Sequence, residues 1–269
     1  MNANKKYALI TGTTSGIGKA FADLLADQGY DLVLVSRDET RMKLQAQDIS
    51  LRTGISVEVI KADLTYQNER DLVLRRLSDV KRPIRMLINN AGFGINQDFS
   101  HSSSKIQKDL IECMVMSTMQ FSHAAIAQMK LMKIGYIINV SSVAGFMAGS
   151  TYCSAKAWIT NFTESLSKEL TPFGINVHAI CPGFTKTEFH SRCNQDVSGV
   201  PSIFWLNPEQ IAFKGYKSVL SGKVLSVPGI QYKLLVALHR YAPRFIVRVY
   251  GSIAKKFLRR GGKNLQKMQ

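Results

Sequence analysis

A glycine-rich loop between a strand and a helix constrains the fold of this chain most. The apolar run Tyr7–Thr11 leads into the sequence TGTTSGIG, and an amphipathic helix follows that ends at Gly29. Glycines serve different needs there: Gly12 permits a tight turn, Gly16 lets the backbone approach a phosphate, and Gly18 lets the helix pack closely on the strand. The helix N-terminus offers free N–H groups to an anion. With a strand before it and a helix after it, this loop indicates a dinucleotide-binding βαβ unit.

The same alternation of apolar runs and helical segments continues along the chain. Six further runs suit strands: Asp31–Ser36, Ser56–Lys61, Ile84–Asn89, Tyr136–Val140, Asn176–Cys181 and Lys223–Val227. The segment Lys105–Met132 reads as one long helix. This order predicts an α/β fold: a Rossmann-like, doubly wound parallel sheet of about seven strands with helices on both faces. We expect residues 1–228 to form this domain and residues 229–269 to form a basic, amphipathic helical extension.

The end of the second predicted strand bears on the choice of dinucleotide. An enzyme that uses NAD usually has a carboxylate there, which holds the ribose 2′-hydroxyl. This chain has Ser36 and Arg37 instead. A guanidinium binds a 2′-phosphate well, so the sequence favours NADP(H). The alternative is that Arg37 is only a solvated residue before a helix capped by Asp38.

A tyrosine and a lysine one helical turn apart are the candidate proton-transfer residues. Tyr152 and Lys156 follow the fifth predicted strand at i and i+4, so both side chains point to one face of a helix. A cation beside a phenol lowers its pKa toward the range useful for general acid–base catalysis. Ser142, at the end of that strand, is positioned to hold a substrate oxygen. Alone, a Tyr-x-x-x-Lys pair is more often a surface pair.

Five motifs in sequence order decide between these interpretations. They are Thr11–Gly18, Asp63, Asn89–Gly92, Ser142 with Tyr152 and Lys156, and Pro182–Gly183 with Thr187. With them the chain resembles the short-chain dehydrogenase/reductase family over roughly residues 6 to 225. The resemblance implies hydride transfer between NADP(H) and a carbonyl or alcohol. Tyr152 would be the acid, Lys156 would lower its pKa and hold the nicotinamide ribose, and Ser142 would orient the carbonyl.

The resemblance also implies a set of cofactor contacts. Asp63 would bind the adenine amino group, although it is also a candidate N-cap for the next helix. Asn89 and Asn90 would steady the sheet edge, and the turn after the sixth strand would seat the nicotinamide. The full expected set is Gly12, Thr14, Ser15, Gly16, Ile17, Gly18, Ser36, Arg37, Asp63, Asn90, Ala91, Gly92, Tyr152, Lys156, Pro182, Gly183, Thr185 and Thr187.

Two features depart from the family pattern. Met114 stands where the family has an asparagine whose amide fixes a local kink, and Asn139 cannot replace it because it lies within the fifth strand. Nine residues separate Ser142 from Tyr152, where about a dozen are common. Ser141 remains an alternative to Ser142. These departures leave open a second hypothesis, that the chain binds NADP(H) as a sensor or scaffold without useful catalysis.

Charge and apolar residues are unevenly distributed. The net charge is +16, and the segment after Glu209 contains thirteen Lys and Arg but no Asp or Glu. The four cysteines lack metal-site spacing, so we expect reduced thiols and no metal. No secretory signal or membrane-spanning run is visible, which predicts a cytoplasmic protein. Between Phe184 and Leu206 we expect a substrate lid. Its apolar residues Ile203, Phe204, Trp205 and Leu206 are candidates to line a pocket for an apolar or lipid-like substrate, and core packing is the alternative.

The C-terminal segment has an apolar stripe and a basic face. The stripe includes Ile230, Leu234, Leu235, Ala237, Leu238 and Tyr241, and it resumes after Pro243. This pattern is typical of a helix on an anionic membrane surface. Packing on the body of the enzyme, a cover over the substrate cleft and a dimer contact are the alternatives. Nucleic acid is an unlikely partner because no recognised binding fold accompanies the charge. The family resemblance implies a homo-oligomer.

Overall fold

A computed structural model of the chain describes residues 5–241. Its centre is a parallel seven-stranded sheet with the order β3-β2-β1-β4-β5-β6-β7. The strands are β1 (Lys6–Thr11), β2 (Tyr30–Ser36), β3 (Val57–Lys61), β4 (Ile84–Asn89), β5 (Gly135–Val140), β6 (Ile175–Ile180) and β7 (Leu225–Ser226). The order reverses direction between β1 and β4, which is where a doubly wound sheet opens a crevice at its carboxyl edge.

Helices cover both faces of the sheet. They are α1 (Gly16–Asp27), α2 (Glu39–Thr53), α3 (Gln67–Leu77), α4 (Ser104–Ile111), α5 (Ser117–Met132), α6 (Thr151–Leu170), α7 (Phe189–Arg192), α8 (Pro208–Leu220) and α9 (Ile230–Tyr241). Short 3₁₀ turns lie at Phe99–His101, Val143–Phe146, Thr171–Phe173 and Ser202–Phe204. The predicted doubly wound α/β fold is confirmed.

Two apolar clusters, one on each face, hold the layers together. Phe21 of α1, Met42 of α2 and Ile211 of α8 are buried on one face. Leu77 of α3 and Phe121 of α5 are buried on the other. The inner strands are apolar on both faces because helices cover both sides of a parallel sheet.

The prediction of one continuous helix over residues 105–132 is wrong, because the helix is interrupted near its middle. A π-helical turn, Glu112–Met116, separates α4 from α5. The N–H of Ser117 reaches back five residues to the carbonyl of Glu112. The hydroxyl of Ser117 donates to the carbonyl of Cys113, the acceptor that this N–H would use in an α-helix. A serine side chain that competes with the backbone for a helix carbonyl accounts for the extra residue in the turn.

Smaller differences concern the last strands and the C-terminal segment. β6 begins and ends one residue earlier than predicted, and β7 is reduced to Leu225–Ser226. α9 confirms a helix in the first part of the predicted extension, whereas the stripe after Pro243 lies outside the described residues. All four cysteines are free. Within residues 5–241, no helix is long and apolar enough to cross a bilayer.

Candidate active site

The loops that follow β1, β4, β5 and β6 meet at the carboxyl edge of the sheet. In chain order, these loops are the glycine loop, the NNAG sequence, the loop that begins with Ser142, and the Pro182–Gly183 turn. They are far apart in the sequence and close together in the fold. Parallel strands place their carboxyl ends side by side, so one crevice collects all four motifs. The predicted site residues therefore come together, and their detailed contacts follow.

The glycine loop has the shape expected for phosphate binding. Gly16 has φ of +57°, and a Cβ atom there would lie 2.6 Å from the methyl carbon of Thr187. A Cβ on Gly18 would lie 2.0 Å from the carbonyl oxygen of Gly12, so only glycine lets α1 begin this close to the strand. Thr14, Ser15 and Ile17 complete the loop and are partly buried.

Polar groups in this loop fit an anionic ligand. The hydroxyl of Thr13 is buried and has no hydrogen-bond partner among the described residues. Ser15 occupies the N-cap position of α1, yet its side chain makes no capping bond. The N–H groups of the first helical turn have no intrahelical acceptor, as in any helix. The loop is therefore suited to the pyrophosphate of a dinucleotide.

The NNAG sequence braces the glycine loop. The amide of Asn90 donates to the carbonyls of Thr11 and Gly12 at 2.8 and 3.0 Å. The Thr11 hydroxyl accepts the N–H of Asn90 and that of Ala91 at 2.9 and 3.0 Å. One strand further, Asn89 donates to the side chain of Asn139 at 2.9 Å inside the sheet. These bonds match the expected steadying role and keep Asn139 away from the crevice.

Arg37 follows the end of β2, and its side chain is largely exposed. Its side chain is 66% exposed, and its nearest guanidinium nitrogen lies 3.9 Å from Asp63. Asp63 accepts hydrogen bonds from the N–H and hydroxyl of Thr65 at 3.0 and 2.8 Å. The N-cap of α3 is Tyr66, so the N-cap role considered for Asp63 is wrong. Ser36 is partly buried next to Arg37. The Arg37 guanidinium is therefore largely exposed, whereas the Asp63 side chain is 27% exposed.

Ser142 and Tyr152 face each other across the turn after β5. The Ser142 side chain lies close enough to the Tyr152 hydroxyl to affect its pKa, and it accepts the N–H of Ala144 at 3.1 Å. Burial raises the pKa of Tyr152, and the nearby Ser142 hydroxyl opposes that effect. The phenol is therefore neutral at physiological pH and able to donate its proton. This differs from the expectation that Lys156 would lower the pKa of Tyr152.

Lys156 is buried one helical turn below the tyrosine. Its ammonium donates to the carbonyl of Val140 at 2.7 Å and lies 5.6 Å from the centroid of the Tyr152 ring. Burial lowers the pKa of Lys156 to about 8. The lysine thus stays within reach of the same crevice while the end of β5 fixes its position.

The structure distinguishes the two serines that the sequence left open. The Ser141 side chain is buried and bonds the carbonyl of Lys156 at 2.8 Å and the hydroxyl of Thr160 at 2.7 Å. Tyr152 is not among these hydrogen-bond partners. This pairing of Ser141 favours Ser142 as the candidate serine of the site.

Met114 occupies the π-helical turn and contacts the NNAG loop. It is fully buried in a small apolar cluster with Leu110, Ala155 and Ile159. Atoms of its side chain lie 3.3 to 3.5 Å from the position that a Cβ would take on Gly92. The kink that an asparagine amide was expected to fix is present here without one, because Ser117 supplies the competing hydrogen bond.

The turn after β6 connects the serine loop to the glycine loop. The carbonyl of Pro182 accepts the N–H of Val143 at 3.0 Å and the hydroxyl of Ser142 at 3.4 Å. Thr185 donates to the carbonyl of Gly183 at 2.9 Å. Thr187 packs its methyl group on the glycine loop and caps the N–H of Phe189 at 3.2 Å. The four predicted residues of this turn therefore lie in a segment that contacts both the serine loop and the glycine loop.

A row of aromatic side chains in the predicted lid packs next to Tyr152. The ring of Phe189 lies 5.6 Å from that of Tyr152 between centroids. His190 contacts Phe189, Phe184 and Trp205 with centroid distances of 5.3 to 5.6 Å. Of the four apolar residues expected in the lid, Ile203 and Phe204 are exposed, whereas Trp205 and Leu206 turn inward. The space above Tyr152 therefore has aromatic walls.

An ion pair that sequence reasoning missed joins α2 to the predicted lid. Arg41 of α2 makes two hydrogen bonds of 3.1 Å to the carboxylate of Glu188, next to Thr187. Arg192 binds the same carboxylate at 2.7 Å. Glu188 thus links the lid to α2. Residues so far apart in the chain carry no sequence signal that pairs them.

Comparisons with known proteins agree with this geometry. The family model for short chain dehydrogenase matches residues 6–198. The 3-oxoacyl-acyl-carrier-protein reductase FabG of Vibrio cholerae is 29% identical over 248 residues, which cover 87% of this chain and 100% of the relative.

Two solved structures have similar sequences as well as similar folds. The short-chain dehydrogenase from Sphingobium yanoikuyae in complex with NADPH is 29% identical, with a TM-score of 0.80 over 87% of this chain and 94% of the other. The bulky-bulky ketone specific alcohol dehydrogenase from Comamonas testosteroni is 27% identical, with a TM-score of 0.77 over 90% and 100%. This chain belongs to the short-chain dehydrogenase family and is an oxidoreductase of the class that interconverts alcohols and carbonyls with a nicotinamide cofactor.

Proposed function

We propose that this protein is an NADP(H)-dependent oxidoreductase that acts on an apolar, bulky carbonyl or the corresponding alcohol. The observation that carries the proposal is the convergence of Ser142, Tyr152 and Lys156 beside a glycine loop whose polar groups suit a dinucleotide. The proposed catalytic unit is residues 1–228, with residues 229–269 as an extension.

Each of the three catalytic residues has a distinct task in this proposal. Bound NADPH supplies the hydride for reduction. Tyr152, kept neutral by burial, donates a proton to the oxygen of the carbonyl substrate. Ser142 holds that oxygen near the phenol. Lys156 brings a positive charge to the tyrosine side of the crevice and holds the nicotinamide ribose.

Support for NADP(H) comes from the end of β2. Arg37 is exposed there, and β2 ends in Ser36 where an NAD-specific enzyme usually has a carboxylate. Asp63 lies 3.9 Å away, where it can orient the guanidinium and bind the base. The similar dehydrogenase from S. yanoikuyae was solved with NADPH. The remaining residues proposed to bind the cofactor are Gly12, Thr14, Ser15, Gly16, Ile17, Gly18, Ser36, Asn90, Ala91, Gly92, Pro182, Gly183, Thr185 and Thr187.

The substrate class follows from the walls of the crevice. Phe189 presents its ring to Tyr152, and Trp205 joins this aromatic group through His190. Phe93 and Ile95 pack with Tyr152 on the apolar cluster that contains Met114. Apolar walls favour an apolar substrate because they cannot satisfy the hydrogen bonds of a polar one. The C. testosteroni relative is specific for bulky-bulky ketones, and the V. cholerae relative is a 3-oxoacyl reductase.

A turnover screen tests this proposal. Purified protein is mixed with NADPH and a panel of ketones that ranges from acetone to aryl ketones and 3-oxoacyl thioesters, and NADPH consumption is followed by absorbance. We expect turnover with the bulky apolar members and little with acetone. No turnover with any member, in either direction, contradicts an enzymatic role.

The second candidate function is a sensor or scaffold that binds NADP(H) without catalysis. It is favoured by Met114 at the usual asparagine position and by the short connection between Ser142 and Tyr152. The π-helical turn and the intact serine, tyrosine and lysine weigh against it. Tight NADPH binding without turnover is the result that this alternative predicts.

We further propose a cytoplasmic protein whose C-terminal segment touches an anionic membrane surface. On α9, Ile230, Leu234 and Leu238 form an exposed apolar row at four-residue spacing. Beside it, a cavity of about 500 Å³ is lined by four cations and no carboxylate: Lys214, Lys223, Lys233 and Arg240. Apolar residues next to cations that form no ion pair within residues 5–241 suit an interface with acidic lipids.

Vesicle sedimentation tests the membrane proposal. Full-length protein should bind vesicles that contain phosphatidylserine and not vesicles of phosphatidylcholine alone. Deletion of the residues from Pro243 onward should abolish or strongly reduce binding. Equal binding to both vesicle types, or unchanged binding after the deletion, contradicts it.

We also propose a homo-oligomer that assembles through α5 and α6. Met119 of α5 is 37% exposed, and the partly exposed rings of Trp158 and Phe162 stack on α6 at 4.5 Å between centroids. Apolar side chains on the outer faces of neighbouring helices suit a contact with a second copy. Light scattering coupled to gel filtration should give a mass above that of one chain; a monomeric mass contradicts assembly.

A further inference from the structure

Tyr232 of α9 contacts the Pro182–Gly183 turn, which is expected to seat the nicotinamide, and it also contacts the predicted lid. Its hydroxyl accepts the N–H of Phe184 at 2.9 Å and donates to the carbonyl of Phe204 at 2.6 Å. The side chain is 3% exposed. One phenol therefore joins the two segments that lie on either side of the expected nicotinamide position.

The ring of Tyr232 also lies directly on the turn. A Cβ atom at Gly183 would be 2.0 Å from the ring carbon that bears the hydroxyl. Only glycine allows this approach, so Gly183 is required by the tyrosine as much as by any ligand. Gln231 adds a hydrogen bond of 3.0 Å to the carbonyl of Ile203, next to Phe204.

The main chain around these contacts is otherwise held from one side. Phe184 accepts the N–H of Leu206 at 2.8 Å, and a short bridge pairs Thr185 with Leu206. Tyr232 holds the other side, because it bonds Phe184 and Phe204 together. Burial raises the pKa of Tyr232, so its hydroxyl keeps the proton that it donates.

We propose that Tyr232 is a positioning residue for the nicotinamide half of the cofactor, supplied by a helix beyond the matched family region. The inference rests on the proposed function, since it assumes that NADP(H) binds in the crevice. Tyr232 touches neither substrate nor cofactor in this proposal. It acts through Gly183, Phe184 and Phe204, whose positions set the nicotinamide wall and the lid.

The test compares a whole cofactor with its nucleotide half. Tyr232→Phe keeps the ring on Gly183 and removes both hydrogen bonds; Tyr241→Phe, on the exposed end of the same helix, is the matched control. Each variant is titrated with NADPH and with adenosine 2′,5′-bisphosphate, which lacks nicotinamide. For Tyr232→Phe we expect NADPH binding to weaken roughly tenfold, adenosine 2′,5′-bisphosphate binding to stay within about twofold, and kcat to fall more than KM changes. Tyr241→Phe should change none of these.

The outcomes separate this inference from the function on which it rests. Equal weakening of both ligands means that Tyr232 only supports the fold and overturns the inference. Unchanged NADPH binding and kcat also overturn it. If the unaltered protein binds neither ligand, the proposed cofactor itself is wrong. Thermal unfolding of each variant is measured alongside, and if Tyr232→Phe is unstable, Gln231→Ala provides a milder loss of the link between α9 and the lid, with the same selective effect expected.

Discussion

The ammonium of Lys156 donates to the carbonyl of Val140 at 2.7 Å, so the end of β5 fixes the lysine. Ser142 lies two residues beyond Val140, and Tyr152 lies one helical turn before Lys156. The strand end and α6 thereby define the relative positions of all three proposed catalytic groups. Burial has opposite effects on the two titratable members: it raises the pKa of Tyr152 and lowers that of Lys156 to about 8.

The first prediction concerns the pH dependence of reduction. Lys156 is charged below its pKa of about 8 and loses its charge as the pH rises through that value, whereas Tyr152 remains protonated. We expect kcat for carbonyl reduction to fall above pH 8, by about tenfold per pH unit at most. Lys156→Met should have low activity without this alkaline limb. A profile that stays flat to about pH 10 contradicts the assignment of the limb to Lys156.

The second prediction concerns cofactor selectivity. Replacement of Arg37 by Ala removes the exposed guanidinium at the end of β2, so NADPH should bind roughly 10- to 100-fold more weakly while NADH binding changes little. Lys43→Ala removes another exposed cation, on α2, and should leave the ratio of the two affinities unchanged. Fluorescence titration measures both constants. An equal loss of affinity for NADPH and NADH in the Arg37 variant would contradict the proposal that Arg37 binds the 2′-phosphate.

The third prediction concerns Met114. Replacement by Asn places an amide in a fully buried apolar cluster, which should cost about 1 to 3 kcal/mol of unfolding free energy. Because the π-helical turn already exists through Ser117, kcat should change by less than about tenfold. Denaturant unfolding and steady-state kinetics measure the two effects. A large gain in kcat would show that the methionine suppresses catalysis, as the sensor hypothesis requires.

The fourth prediction concerns acid stability. His178 on β6 donates through Nδ1 to the carbonyl of Lys223 at 2.7 Å, so Nε2 accepts from Ser226 at 2.9 Å. Burial lowers the pKa of His178 from 6.5 to about 4. The unfolded chain therefore binds a proton that the folded chain excludes between these values, and stability falls as the pH drops from 6.5 to 4. The loss from this residue should approach about 3 kcal/mol.

Urea unfolding across this pH range tests the acid-stability prediction. His178→Gln keeps a polar side chain between the same strands but cannot titrate. Its stability should be lower at neutral pH and should depend less on pH than that of the unaltered protein. The same pH slope in both proteins would assign the acid sensitivity to other groups.

Much of the fold and part of the site could be predicted from the sequence because local patterns determine them. Apolar runs of strand length alternate with helical segments, so a doubly wound parallel sheet of about seven strands could be predicted. Tyr152 and Lys156 share a helix face through their i, i+4 spacing, and strand ends collect the motifs at one edge. The grouping of Ser142 with Tyr152 needed only the end of β5 and the start of α6.

Other features depend on contacts that no local pattern reveals. The π-helical turn arises because the Ser117 hydroxyl takes the carbonyl of Cys113. The apolar stripe predicted for α9 includes the exposed face, whereas Tyr232 on the inner face makes the functional contacts. Tyr152 has a raised pKa because the effect of burial outweighs the opposing effect of Ser142. This burial depends on how the lid packs, since Phe189 of the lid contacts the Tyr152 ring.

The most direct test of the central claim is the effect of Tyr152→Phe on single-turnover reduction of a bulky ketone by bound NADPH. The variant loses the proton donor and keeps the ring, so the rate should fall by roughly 10²- to 10⁴-fold while NADPH affinity stays within about twofold. Tyr136→Phe, on β5 away from the crevice, should react at the normal rate. A Tyr152→Phe protein that reduces the ketone as fast as the unaltered protein would contradict the account.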